Sequence, residues 1–170
     1  RLVSDNNFAI HQSRLKINLA YQNNQRKEYG NPEDVAEEEL FFDLKTFNYN
    51  IQWQLPEIKE WHTSFGVNGM QQSNRNRADE VLIPEYNLFD AGVFVYAQRF
   101  FKKATLSGGL RYDHRSVDSK AFAEGADVKF TAFKKTFSNI SGSIGISAEP
   151  SEKVTLKANI ARGFRAPTLA

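Results

Sequence analysis

The feature that most constrains this chain is two-residue alternation that recurs between connections of alternating length. Phe47, Tyr49, Ile51, Trp53 and Leu55 alternate with Thr46, Asn48, Asn50, Gln52 and Gln54. Successive strand side chains point to opposite faces, so such a run has one apolar and one polar face. The same pattern places Leu15, Ile17, Leu19 and Tyr21 on one face of residues 13–29, and Trp61, Phe65 and Val67 on one face of 61–73. It also groups Leu106, Gly108, Leu110 and Tyr112, then Ile140, Ile144 and Ile146, then Val154, Leu156, Ala158 and Ile160. Residues 89–101 are apolar on both faces, so their outward face is undetermined. Leu40, Phe42 and Leu44 lie on the opposite phase to Phe47, which predicts either a bulge near Lys45 or a segment beyond a membrane.

The links between these runs alternate in length. Residues 29–39, 72–87 and 116–135 are long and polar, whereas 56–60, 102–104 and 149–153 are short. Membrane barrels show this asymmetry, with tight turns at one end and long loops at the other. A soluble meander has no reason to keep its long loops on one side. Trp53 and Trp61 flank one short turn and Phe100 and Phe101 adjoin another, as an interfacial aromatic girdle requires. The predicted fold is all-β: an antiparallel up-and-down meander of seven strands, eight if residues 2–11 contribute one, within a larger transmembrane β-barrel.

The composition agrees. The 170 residues suit one domain, and 41% apolar with 25% charged residues is not a disordered composition. No apolar run approaches a membrane helix, but barrel strands need only ~9–11 alternating residues. A net charge of +2, with no basic run interleaved with aromatics, gives no nucleic-acid signature. There is no cysteine, hence no disulfide and no thiolate chemistry. His11, His62 and His114 lack metal-ligand spacing, and Asp113 and His114 are strand neighbours pointing to opposite faces. No catalytic, metal or cofactor site is expected. Glu33, Asp34 and residues 37–39 form an acidic cluster in the first long link, read as a solvated loop ahead of a Ca²⁺ site. Arg75 and Arg77, in the second, are the candidates for contact with an anionic solute.

Residue identities add a family likeness. Residues 159–168, NIARGFRAPT, resemble a motif in the C-terminal half of TonB-dependent outer-membrane receptors, where a long barrel strand ends in such a turn. The run 109–113, GLRYD, is similar to a family segment some fifty residues upstream, and 65–67 (FGV), 90–94 (DAGVF) and 141–146 (SGSIGI) are smaller echoes. The motif residues are Gly163, Phe164, Arg165, Ala166, Pro167 and Thr168. As plain structure, Gly163 would ease a bend and Pro167 end the strand. A Phe-Arg-Ala-Pro box also precedes a histidine and an Asn-Pro-Asn-Leu box in haem receptors. Siderophore receptors share the tetrapeptide, so it does not single out haem.

The resemblance implies a section of a 22-stranded barrel with a plugged lumen. It implies outer-membrane lipid, a plug domain of the same full-length chain, TonB acting through that plug, and a scarce solute as partners, a ferric siderophore above all, with haem or another metal complex as the alternative. Arg111, Asp113 and Lys157 are then expected to face plug or lumen water. Residues 1–7 contain no apolar signal core, and both ends read as cut, so a fragment of a Gram-negative outer-membrane protein is expected. Seven strands cannot close such a barrel, so the isolated piece is expected to oligomerise, swap strands or curl up. Two rivals from other classes stand beside this reading: a complete lipocalin-like ligand-binding barrel, and a structural outer-membrane barrel.

Overall fold

A computed structural model describes residues 1–30 and 38–167. Ten strands occur: β1 (Leu2–Ile10), β2 (Ser13–Tyr29), β3 (Glu38–Gln54), β4 (Trp61–Asn76), β5 (Tyr86–Phe101), β6 (Ala104–Ser119), β7 (Phe122–Glu124), β8 (Asp127–Phe130), β9 (Phe133–Ser151) and β10 (Val154–Arg162). Eight form one antiparallel sheet in the order β1-β2-β3-β4-β5-β6-β9-β10, and β7 and β8 pair as a separate hairpin. Residues 2–11 do supply an eighth strand. The outer strands β1 and β10 do not pair with each other, so the sheet is open within the described residues.

Register fixes the faces. Leu15 lies opposite Trp53, Trp53 opposite Phe65, Phe65 opposite Val95, Val95 opposite Leu110 and Leu110 opposite Gly142. Directly opposed residues share a face, so Val93 and Val95 of β5 point outward with the other apolar rows. Phe94 and Tyr96 point inward, and the face that the sequence left open is decided by its neighbours.

This outward face is uncovered among the described residues. Ile160 is 78% exposed, Ile140 63% and Leu110 61%. A soluble domain buries such a face under a second layer. Among the described residues only Leu40, Val81, Leu88 and Val117 are buried and apolar, and they lie at one end of the sheet. One apolar layer without a lid is what a barrel wall presents to hydrocarbon.

The apolar band also drifts across the sheet. On β2 it extends up to Tyr21, in register with Phe47 and Gln71. On β6 and β9 it stops at Tyr112 and Ile140, and the residues in register with Phe89 there are Ser116 and Thr136. A band level with a membrane crosses strands obliquely when the strands tilt, as they do by ~35–45° in barrels. The short-turn border carries Trp53 stacked on Phe65 (6.1 Å between centroids), and Arg99 over the Phe101 ring at 4.8 Å. Tyr21, Phe47, Phe89 and Tyr112 mark the opposite border, a second girdle that the sequence reading missed. Phe100 corrects the expected girdle: it points inward and meets the His62 ring edge-on at 5.1 Å.

The strands are longer than their alternation indicates, because beyond the outward apolar band the two-residue alternation is lost or changes phase while backbone pairing continues. Register runs unbroken through Lys45, so there is no bulge there. The phase switch at Leu40, Phe42 and Leu44 marks the segment beyond the band instead. Outward residues turn polar (Lys45, Ser73), while Leu40 turns inward to full burial. Of the first long link, residues 31–37 lie outside the described residues, including Glu33, Asp34 and Glu37, whereas Glu38 and Glu39 already belong to β3. The third link, expected as a loop over 116–135, contains the ends of β6 and β9 and the β7–β8 hairpin.

Residues 77–85 fold back along the end of β3. The Arg77 N–H donates to Phe41 O and the Glu80 N–H to Glu39 O, both at 2.9 Å. Asn76 Nδ2 donates to Ile83 O (2.9 Å), and Lys120 Nζ reaches Glu85 Oε2 at 2.8 Å. Burial pushes the Glu85 carboxyl up. The Lys120 ammonium, the Asn76 N–H and the Arg75 charge outweigh it and hold the group below its ordinary value of 4.5. A depressed carboxyl contributes stability above the unfolded value and loses it as pH falls through the folded one. Backbone exchange in 77–85, corrected for its intrinsic pH dependence, is therefore expected to rise stepwise below pH 4.5. Glu85→Gln is expected to lack that step, and an identical step in both proteins would remove Glu85 as its cause.

Candidate functional site

The inward face gathers the polar residues into rows set by register. Asp5, Asn18, Asn50, Asn68, Gly92 and Asp113 are direct partners in succession, across β1 to β6. Asn18 Nδ2 donates to Asp5 Oδ1 at 2.7 Å, and Asn50 Nδ2 to Asn18 Oδ1 at 3.0 Å. Arg111 joins the two halves, donating from Nη2 to Asn68 Oδ1 and from Nε to Asp113 Oδ1, each at 2.7 Å. The guanidinium reaches β4 by lying across β5 at Gly92, where a Cβ would sit 2.0 Å from Arg111 Nη2. Only glycine leaves that path open.

The sheet curls around this row, so residues from β1 to β9 line one cavity of about 670 Å³. Its far wall is the segment after β10: Gly163, Phe164 and Ala166 line it, and Arg115 Nη1 donates to Pro167 O at 3.3 Å. Arg115 is held in turn by a bidentate pair with Asp90, both bonds at 2.7 Å, with each side chain about a fifth exposed. Two parallel charge-assisted bonds fix the guanidinium plane as well as its position. The cavity thus offers neutral amides, two guanidinium groups already matched by carboxylates, and one aromatic ring. It suits a polar solute or polypeptide carrying both donors and acceptors, and it has no nucleophile–base pair for chemistry.

A double-mutant cycle checks the Asp90–Arg115 pair. Asp90→Asn and Arg115→Gln are expected to couple by about 1–2 kcal/mol in urea unfolding of the full-length protein. Zero coupling would mean that the pair holds nothing.

The candidates read from sequence fall in two places. Arg75 and Arg77 are not in the cavity. Arg75 donates to Asn87 Oδ1 (2.8 Å) and to Tyr86 O (3.1 Å), and Arg77 Nη2 lies 3.7 Å from Asp43. The motif segment does reach the cavity, through Gly163, Phe164 and Ala166, while the Arg165 side chain is exposed. Thr168 lies outside the described residues. Gly163 sits outside the left-handed region and a Cβ there would meet nothing within 4 Å, so the bend does not demand glycine. The strand ends at Arg162, before Pro167. Sequence reading placed Asn50 and Asp113 on polar faces but did not align them with Asn18 and Asn68. Alignment needs the register, and Gly92 lay in the strand whose face was open.

Comparison with known proteins agrees with this architecture. The family described as "TonB dependent receptor-like, beta-barrel" matches residues 3–170. No curated protein matches the chain. Among solved structures, the FrpB iron transporter from Neisseria meningitidis (F5-1 variant, apoprotein form) superposes with a TM-score of 0.75 at 17% identity, over 95% of this chain and 28% of that one. The copper transporter OprC superposes with a TM-score of 0.69 at 16% identity, over 92% of this chain and 29% of that one. The chain therefore spans somewhat over a quarter of the length of these structures. With its family match, open meander, outward apolar band and inward polar row, this chain belongs to the TonB-dependent receptor β-barrel family.

Proposed function

We propose that this chain is one section of the wall of a larger outer-membrane barrel in a Gram-negative bacterium, whose lumen holds a plug domain. The whole protein imports a ferric siderophore with energy delivered by TonB through that plug. The observation that carries this is the opposition of the two faces: a hydrogen-bonded polar row inside and an apolar band outside along β2 to β10. Iron is favoured because a structure with the same strand arrangement is described as an iron transporter. Phe164 and the row of neutral amides, beside guanidinium groups already matched by Asp113 and Asp90, suit an organic chelate better than a bare cation. Arg75 and Arg77 stand at the long-connection end, where an arriving anion meets them first. A complete lipocalin-like barrel fits less well, since β1 and β10 leave the sheet open.

The test is uptake of radioactive iron by iron-starved cells with and without the gene, supplied as siderophore complexes, as haem or as free salt, alongside a copper complex. Loss of siderophore-bound iron uptake alone, and only while TonB is present, is the expected result. Loss of haem or copper uptake instead would replace the substrate and keep the fold. No uptake defect of any kind would favour a structural barrel.

A further inference from the structure

The inward face is covered at one end and open at the other. By register Leu40, Asn74, Leu88, Val117 and Ser119 all point inward near the long connections, and each is 7% exposed or less. Inward residues nearer the short turns are not covered: Tyr96 is 40% exposed and Phe100 46%. Residues 77–85 supply the cover. Val81 and Pro84 are buried while Leu82 between them is 55% exposed, so the segment turns one side to the sheet and the other to solvent. The β7–β8 hairpin, which stands at the same end, packs on no other strand.

The segment is pinned along its length. The Arg77 and Glu80 N–H groups donate to Phe41 O and Glu39 O of β3, each at 2.9 Å. From β4, Asn76 Nδ2 donates to Ile83 O at 2.9 Å and Asn74 Nδ2 to Pro84 O at 3.4 Å. Just past β6, the Lys120 N–H donates to Glu85 O at 2.8 Å. These anchors spread from β3 to β6, about 14 Å at ~4.8 Å between strands. A segment tied to three strands across that width is a sill and not a flap. It lies close above the cavity: Leu88 and Val117 are each two residues from Asp90 and Arg115 on the same face, roughly 7 Å along the strand. A solute arriving from the long-connection end passes the sill before it reaches Arg115. We propose that residues 77–85 form a fixed sill that sets the size limit for entry. It confines the substrate to compact chelates that fit the cavity of about 670 Å³ beneath it. The inference rests on the import reading, since a size limit matters only where a solute enters from this end.

Thiol labelling of the full-length protein in intact cells tests it, with Asn50→Cys placed in the cavity and any cysteine outside this chain changed to serine. A small methanethiosulfonate is compared with a maleimide carrying a polyethylene glycol chain. The small reagent is expected to label position 50 at the same rate with the sill intact or cut. Replacing residues 79–82 by Gly-Gly is expected to raise the rate of the large reagent about tenfold. Heat-modifiable gel migration reports whether that variant assembles. If it does not, Glu85→Gln with Lys120→Gln, which loosens the anchor beside β6, decides alone with an expected rise of about threefold. A large-reagent rate unmoved by the deciding variant overturns the sill. A small-reagent rate that rises equally overturns the size limit. Labelling needs no transport, so these outcomes hold whatever the cells import, and failure to import any chelate overturns the import reading alone.

Discussion

Gly69→Ala is expected to prevent stable assembly of the sheet, whereas Gly163→Ala is expected to leave it unchanged. On the outward face, the hydroxyl end of Tyr49 reaches over Gly69 and donates to Asp90 O on β5 at 3.0 Å. A Cβ on Gly69 would sit 2.0 Å from that carbonyl oxygen and 2.4 Å from the Tyr49 hydroxyl. The hydroxyl belongs to a side chain and can swing away. The carbonyl belongs to the backbone of a paired strand and cannot move without breaking the ladder between β4 and β5. Overpacking of this kind costs about 3 kcal/mol, and the lost tyrosine hydrogen bond adds about 1 kcal/mol. Gly163 meets nothing within 4 Å, so the same methyl is harmless there. Urea unfolding of the full-length protein in vesicles checks both. Equal stability of Gly69→Ala and the parent would show that the close β4–β5 approach is not needed.

The second large effect comes from charge on the wrong face. Ile51 and Gln52 are neighbours on β3 that point to opposite sides. Ile51 lies in register with Ile17 and Val67 on the apolar face, while Gln52 Nε2 donates to Ser64 Oγ at 3.3 Å on the polar one. Ile51→Arg places a guanidinium in hydrocarbon and is expected to cost about 2–4 kcal/mol. Gln52→Arg enters a polar lumen and loses one long hydrogen bond, a cost of about 1 kcal/mol or less. The reverse order of costs would invert the assigned faces.

Much of this architecture is legible in the sequence, and the exceptions have physical causes. Leu15 to Tyr21 and Phe47 to Leu55 show their faces because one side is apolar along the run and the other polar. Residues 23–27 and 71–76 hide their strands because both faces there are polar, and backbone pairing leaves no periodic trace. On β5, Phe94 and Tyr96 are apolar yet point inward, with Phe94 packed over Gly66 and Tyr96 over Gly109. That packing depends on glycines from two other strands. The Asn18–Asn50–Asn68 row is non-local in the same way: each asparagine reads as polar, and only the turns between strands bring them level. Phe100 joins the expected girdle in sequence and leaves it in space because it is one residue out of phase with Phe101. Arg75 and Arg77 are conspicuous in sequence as loop cations, but Asp43 and Asn87 occupy them, whereas Arg111 and Arg115 are inconspicuous and line the cavity.

The most direct measurement uses β5, the strand whose faces its own sequence leaves open. The chain contains no cysteine, so Val93 through Gln98 can be replaced by cysteine one at a time in the full-length protein, with any cysteine outside this chain changed to serine, and tagged with a fluorophore. Strong quenching by nitroxide-labelled lipid is expected at Val93, Val95 and Ala97, and weak quenching at Phe94, Tyr96 and Gln98. Quenching that is uniform along the strand, or strongest at Phe94 and Tyr96, would contradict a barrel wall with its odd-numbered β5 residues in lipid.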